Sequence, residues 1–373
     1  MLHKNLEEKG PLSKVPVLEE KLALSNLQSH LFKLPSALLF EVSTCLEKDL
    51  KTQAALTQTC KRSAVFFQPE LTKVRLKALL QAVVYGNMDK AKKIIASNPK
   101  LLLQRAQVTD YSGRTIEGTA YQLALGAEDV SRPEHKDEGM ADMIECYLKR
   151  LPNGESEIKK QQAQQFPLGY EEAEQQKKAA DSKALQAVIK AIEDAKDGDD
   201  CEEALAQFRE YLKPTGVIQQ GKHFNANLLL EAFTLYDEKY DHLGGWDSPK
   251  NNLFWRKVIG YIQRYLPACY AQVFCQSLYD VVERREKLQR SLKFKYDSSA
   301  AFFPLDSDLS FRLGFSYGAA ACGAGGRGAA RCIASRLFSN LISSKNNIVT
   351  RAYATAEQSV EAALHDPVSA KQA

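Results

Sequence analysis

Cysteine–histidine catalysis in this 373-residue chain would draw on eight cysteines and six histidines. A thiolate nucleophile needs a base beside it, and Cys269 and Cys275, with His223 and His242 upstream, are the residues that could supply the pair. Both thiols sit in "YLPACYAQVFCQSLYDVV", where nearly every neighbour is apolar or aromatic. Such surroundings raise a thiol pKa and suit a buried, structural cysteine. Glu238 and His242 stand at i and i+4 with Asp241 and Asp247 near, a spacing that could seed a metal site, but Gly244-Gly245 follows at once and the segment reads as a solvated helix end. The run "GAGGRG", residues 323–328, has the form that cradles a pyrophosphate. No strand pattern precedes it and no acid follows at the offset of about 20 residues, so it reads as a turn. There is no C-x-x-C and no histidine pair at metal spacing. Neither cofactor nor metal is expected, and an enzyme with its site in residues 220–345 is the third-ranked reading.

Charge is balanced overall, 50 basic against 46 acidic residues and net +4, which compels no nucleic-acid partner. It is uneven locally. Residues 152–215 carry 14 acidic and 9 basic residues, net −5, and residues 250–296 carry 10 basic and 3 acidic, net +7. The basic part ends in "ERREKLQRSLK", which lacks the interleaved aromatics of a nucleic-acid platform. It reads as a solvated helix face, with at most weak binding of an acidic surface through Arg284, Arg285 and Arg290. The segment "MLHKNLEEKGPLSK" has no apolar signal region, and nowhere do about 18 apolar residues run together. The scattered cysteines fit a reducing compartment, and cytosol is the expected setting.

The elements that would position these residues are helices. Leu185, Val188, Ile189 and Ile192 recur at i, i+3, i+4 and i+7, and Leu205, Phe208 and Leu212 repeat the spacing until Pro214, which predicts a helical hairpin. Asn225 and Ser248-Pro249 open further helices, with Phe254, Val258 and Ile262 on one face and Val273, Phe274, Leu278, Val281 and Val282 on the next; Pro267 divides the two. Residues 152–180, rich in Gln, Glu and Lys, read as a polar linker or solvated helix. Beyond 297 the chain turns Ala/Gly-rich, with one more helix over 329–343. No alternating run of strand length appears, so the fold class is all-α.

Near the N-terminus, "LPSALLFEVSTCLEKDL" repeats Leu38, Val42 and Leu46 at i and i+4, and Leu39 and Cys45 widen the apolar stripe beyond the arc of a surface helix. Pro35 suits a first helical turn, and Asp49 can cap the helix that follows. Some forty residues of this kind bury too little surface to stand alone. Leu34-Pro35, Leu38-Leu39, Val42, Leu46, Asp49-Leu50, Leu56 and Cys60-Lys61 resemble the F-box pattern of LP, LL, aliphatic, L, DL, aliphatic and CK. No Trp follows Cys60-Lys61, where many members have one, and Phe66 and Phe67 stand in its place. The resemblance implies a surface for the Skp adaptor of a cullin ligase, formed by Leu34, Pro35, Leu38, Leu39, Val42, Leu46, Asp49 and Leu50.

Residues 79–98 and 121–148 repeat one plan of helix, turn and helix. Asp110-Tyr111-Ser112-Gly113-Arg114-Thr115, followed by Thr119-Ala120-Tyr121-Gln122-Leu123-Ala124, resembles the ankyrin pattern D-x-x-G-x-T-P-L-H-x-A, with Ala-Tyr-Gln for Pro-Leu-His and extra residues before it. The spacing departs from the usual period of about 33 residues, and about three units are normally needed for a stable stack. The resemblance implies that Tyr111, Ser112 and Arg114 project toward a target. F-box and ankyrin segments together resemble translocated effectors of intracellular bacteria of the Legionella and Coxiella type, secreted into the host cytosol.

The expected architecture is an all-α chain: an extension over 1–33, an F-box-like hairpin over 34–75, ankyrin-like repeats over 76–152, a polar linker over 153–180, a helical C-terminal domain over 181–296 and an irregular tail over 297–373. The expected function is recruitment of an unknown host target to a Skp-cullin-F-box ubiquitin ligase. The alternative is a helical scaffold in which 34–71 caps the repeats. Exposure of Leu38, Leu39 and Val42 would favour docking, and their burial the cap.

Overall fold

The computed structural model describes residues 34–45, 50–58, 61–167, 169, 172–196, 201–245, 248–295, 302–303, 334–347 and 350. Leu46, Asp49, Asp247, the extension over 1–33 and the glycine run at 323–328 lie outside them, and Leu50 is described in its backbone only. The chain divides into two compact units, Met1–Arg75 and Leu76–Ala373.

In the first unit, Pro35 precedes α1 (Ser36–Cys45) and its carbonyl accepts from Leu39 N at 3.1 Å. The proline closes the first turn without wasting an amide donor. α2 (Leu50–Thr57) follows, then α3 (Lys61–Val84), whose interior holds Pro69 and whose last turns contribute to the second unit. Leu39, Leu56, Phe67 and Leu71 are buried.

In the second unit, Leu76, Leu79, Leu80 and Val83 on α3 are buried at i, i+3, i+4 and i+7, the spacing of a core-facing stripe. Gly86 turns the chain at φ 68°, where a side chain would be strained. Asn87 then caps α4 (Met88–Ser97), accepting from Lys90 N at 3.0 Å. After a 3-10 turn over Pro99–Leu103 come β1 (Ala106–Thr109) and β2 (Thr115–Gly118), an antiparallel hairpin that pairs Ala106 with Gly118 and Thr109 with Thr115. These strands were not expected, because four residues apiece are too few to show alternation. Ile218 adds to the free edge of β2, its N–H donating to Thr115 O at 2.9 Å. α5 (Ala120–Gly126) and α6 (Met140–Leu148) form the second helix pair.

The polar stretch after residue 152 is not a linker. α7 (Gly154–Gln165) packs on α5 and α6, and its Ile158 joins the core that runs from Leu76 to Phe166. Gln161, Gln162 and Gln165 are buried too. Composition misleads here because a glutamine such as Gln161, bonded to Thr119 at its oxygen and to the Leu102 carbonyl at its nitrogen, is buried at little cost. α8 (Glu172–Asp194), α9 (Glu202–Leu212), α10 (Ala226–Lys239), α11 (Pro249–Leu253), α12 (Gly260–Gln263), α13 (Ala268–Gln276) and α14 (Leu278–Val282) enclose a second core. A π-helical stretch, Phe254–Ile259, joins α11 to α12. Residues 334–347 are helical, and Leu337, Phe338 and Leu341 enter the same core, so this helix is part of the C-terminal domain rather than of a tail. Apart from the hairpin the fold is all-α, and no helix among the described residues is long and apolar enough to cross a membrane.

Candidate functional site

On α1, Leu38 is 44% exposed, Leu39 is fully buried and Val42 is half-buried. Pro35 is exposed and Leu34 half-buried. Val65, on α3 of the same unit, is 70% exposed. A large aliphatic side chain on the surface is common singly; here two lie in the first unit, on α1 and on α3.

The hairpin tip is built differently from the expectation. Asp110 Oδ1 accepts from Ser112 N at 2.9 Å and from Arg114 N at 3.0 Å, fixing the turn, and Gly113 supplies φ 84°. Asp110 Oδ2 accepts from Arg114 Nε at 2.9 Å and Nη2 at 2.7 Å, and Arg114 Nη1 donates to the His223 carbonyl. Arg114 is 5% exposed. It does not project toward a partner; it ties the turn to the C-terminal domain. Tyr111 is sandwiched between Tyr85 (centroids 3.8 Å) and Phe303 (4.3 Å), so both its faces are occupied. Ser112 is half-buried, its hydroxyl donating to Asp110 Oδ1 at 2.7 Å.

Behind the hairpin, Thr119 and Gln122 form a reciprocal cap on α5. Thr119 Oγ1 donates to Gln161 Oε1 at 2.5 Å, Gln122 Nε2 donates to Gln161 O at 3.2 Å, and Gln161 Nε2 donates to Leu102 O at 3.1 Å. The Thr119-x-x-Gln122 spacing is the local sequence signal of such a cap; the bond to α7 has none, since the partners are about forty residues apart in sequence.

The loop 127–139 between α5 and α6 is a socket of buried charge. Asp129 receives Arg290 through Nη1 at 2.9 Å and Nη2 at 2.5 Å. Arg132 donates to both Glu138 oxygens, at 2.6 and 3.0 Å, and to the carbonyls of Val281 and Glu286. Glu128 holds Lys222 at 3.1 Å and the Tyr270 hydroxyl at 2.5 Å, while Lys345 Nζ donates to the Glu128 carbonyl at 2.6 Å. Burial pushes the Asp129 carboxyl up, and the Arg290 guanidinium more than offsets this, holding it below its ordinary range. Arg290 is therefore not a surface residue for an acidic partner. Arg284 pairs with Asp280 at 3.1 Å, and Arg285 offers its carbonyl to the His135 ring. The basic stretch is not a helix face, because α14 ends at Val282; Arg284, Arg285, Lys287 and Lys293 stay exposed, and Arg290 turns inward to Asp129.

Cys269 Sγ bonds the Ala127 carbonyl at 3.3 Å, and burial pushes both the Cys269 and the Cys275 thiol up to about 12. Among the described residues no hydrogen bond links either thiol to His223 or His242. His223 is 4% exposed, its Nδ1 has no partner, and burial followed by the Arg114 charge lowers it to about 3. No three of His, Cys, Asp and Glu converge on a metal position among the described residues. Compared with known proteins, the chain matches no family, no curated protein and no solved structure.

Proposed function

We propose that residues 34–75 dock on a Skp adaptor and that the chain recruits a host protein to a Skp-cullin-F-box ubiquitin ligase, acting as a translocated bacterial effector in the host cytosol. The observation that carries this reading is Leu38, 44% exposed on the helix that opens directly after Leu34-Pro35, with Val65 exposed in the same unit. Apolar surface left in water on a small helical unit is what a docking face needs. The target is to be sought away from Tyr111 and Arg114, whose side chains are already engaged.

Purified Skp adaptor titrated into the full chain tests this. Leu34→Ala with Pro35→Ala should weaken binding by about 2 kcal/mol or more, since docking energy concentrates in few residues. Equal binding by a folded double variant overturns the reading. The scaffold alternative draws on the full burial of Leu39, which suits a cap; it predicts no adaptor binding by the parent chain at all. The protonated, buried thiols lend no support to a cysteine nucleophile.

A further inference from the structure

Residues 283–295 leave α14 and run past the loop 127–139 outside any helix. Arg285, Arg290 and Leu292 hold φ values of 57°, 59° and 53°, a region that costs strain for side chains of this size. The backbone here is held by main-chain bonds at its ends, Glu286 N donating to Asp280 O at 2.9 Å, Lys295 N to Cys275 O at 2.9 Å and Phe302 N to Leu292 O at 2.8 Å, and by side chains between them. Gln289 N donates to Gln276 Oε1 at 3.1 Å, Leu292 N to Gln272 Oε1 at 2.5 Å, and Gln276 Nε2 to Lys287 O at 2.8 Å. Apolar anchorage is slight: Leu288 is buried, and Leu292 and Phe294 are partly so.

Charge does the holding. The Asp129–Arg290 pair is 6% and 12% exposed. Arg290 also donates to the Glu138 carbonyl through Nε at 3.1 Å, Leu288 N donates to Glu138 Oε2 at 3.2 Å, and Lys287 reaches Asp137 at 2.5 Å. A buried pair is strong only while both partners and their further hydrogen bonds are in place. Cys269 Sγ bonds the Ala127 carbonyl at 3.3 Å, two residues before the Asp129 that Arg290 grips, so the thiol lies against the loop the strap holds.

We propose that residues 283–295 form a charge-latched strap that opens as a unit, ahead of global unfolding, and on opening uncovers Cys269 and the socket loop 127–139. Strained backbone, sparse apolar contact and side-chain tethers are the marks of the low-stability end of a fold. The α10 core, with Leu229 and Ala232 fully buried, stands at the other end.

Hydrogen exchange of the full chain, with peptide-resolved iodoacetamide labelling of Cys269, reads both ends at once. In the parent chain the Gln289 and Leu292 amides should exchange at least about tenfold faster than those of Leu229 and Ala232, with Cys269 labelling following the strap. Val188→Ala removes core volume from open and closed strap alike, so it should speed α10 exchange roughly tenfold or more and leave strap exchange and labelling unchanged. Arg290→Gln strands Asp129 in the closed state and should raise strap opening by about 100-fold. Strap amides and Cys269 reacting at the α10 rate, and accelerating with Val188→Ala as α10 does, would overturn the strap; that comparison holds even if Arg290→Gln fails to fold.

Discussion

Leu38 and Leu39 are neighbours on α1 with opposite surroundings, 44% exposed against fully buried. A short helix with apolar residues on both sides serves two surfaces. One is satisfied within this chain, since Leu39 is out of water. The other is not, and water at Leu38 carries the usual cost of about 25 cal/mol per Å² of apolar area.

The two surfaces separate in a mutation. Leu38→Asp should leave thermal unfolding within about 0.5 kcal/mol of the parent, as surface changes do, yet abolish adaptor binding in a titration. Leu39→Asp should unfold the first unit, because a carboxylate would be buried without a partner. If Leu38→Asp destabilises the chain as much as Leu39→Asp, α1 is a cap and not a docking face.

Arg114 gives a prediction opposite to the one its place in the repeat pattern suggests. Its side chain meets Asp110 in two hydrogen bonds and the His223 carbonyl in a third, all near 5% exposure. Arg114→Gln should cost about 3–5 kcal/mol in chemical denaturation, since it leaves the Asp110 carboxylate buried and unpaired. Ser112→Ala, which removes one local hydrogen bond from a half-buried hydroxyl, should cost about 1 kcal/mol. Equal, small losses for both would mean that Arg114 is far looser than its contacts indicate.

What could be read from the sequence follows the range of the interactions. Leu185, Val188, Ile189 and Ile192 fall on one helical face by spacing alone, and all four are buried. Asn225 and Ser248 cap the helices they precede, accepting from Leu228 N and Asn251 N, because capping is decided within three residues. The socket was illegible for the converse reason. Asp129 and Arg290 are 161 residues apart, and nothing local distinguishes an arginine bound for a buried carboxylate from one bound for solvent. Gln161 was misjudged similarly: a polar helix looks solvated until Thr119 and the Leu102 carbonyl are seen to meet it. The π-helical stretch at Phe254–Ile259 has no local signature, since the same apolar spacing predicts an ordinary helix there.

His223 supplies the pH test. Its imidazole lies against α5, where a Cβ added at Gly126 would fall 2.3 Å from Nε2, and its backbone N–H donates to the Gly126 carbonyl at 2.7 Å. Burial, then the nearby Arg114 charge, lowers its pKa from 6.5 to about 3. In the unfolded chain the ring takes up a proton as pH falls through 6.5, while in the folded chain it stays neutral until about 3. The unfolded state therefore binds more protons across that window. The stabilisation is fully present above pH 6.5 and is lost progressively as pH falls toward 3, by up to about 1.4 kcal/mol per pH unit. Buried carboxylates such as Asp129, held below their ordinary range, act in the same direction but only nearer pH 4 and below. Asp142, whose carboxyl burial pushes above its ordinary range, acts the opposite way, so between pH 6.5 and about 5 it is the difference between the parent and His223→Leu that isolates the histidine. Urea midpoints there should decline for the parent chain relative to those of His223→Leu, and the His223 ring proton should show no NMR titration while the chain is folded. Gly126→Ala should destabilise the chain by about 1–3 kcal/mol at any pH by driving a methyl into the ring. A ring signal that moves through 6.5 with the fold intact would mean the imidazole reaches water, and the packing of α5 against residue 223 would have to be redrawn.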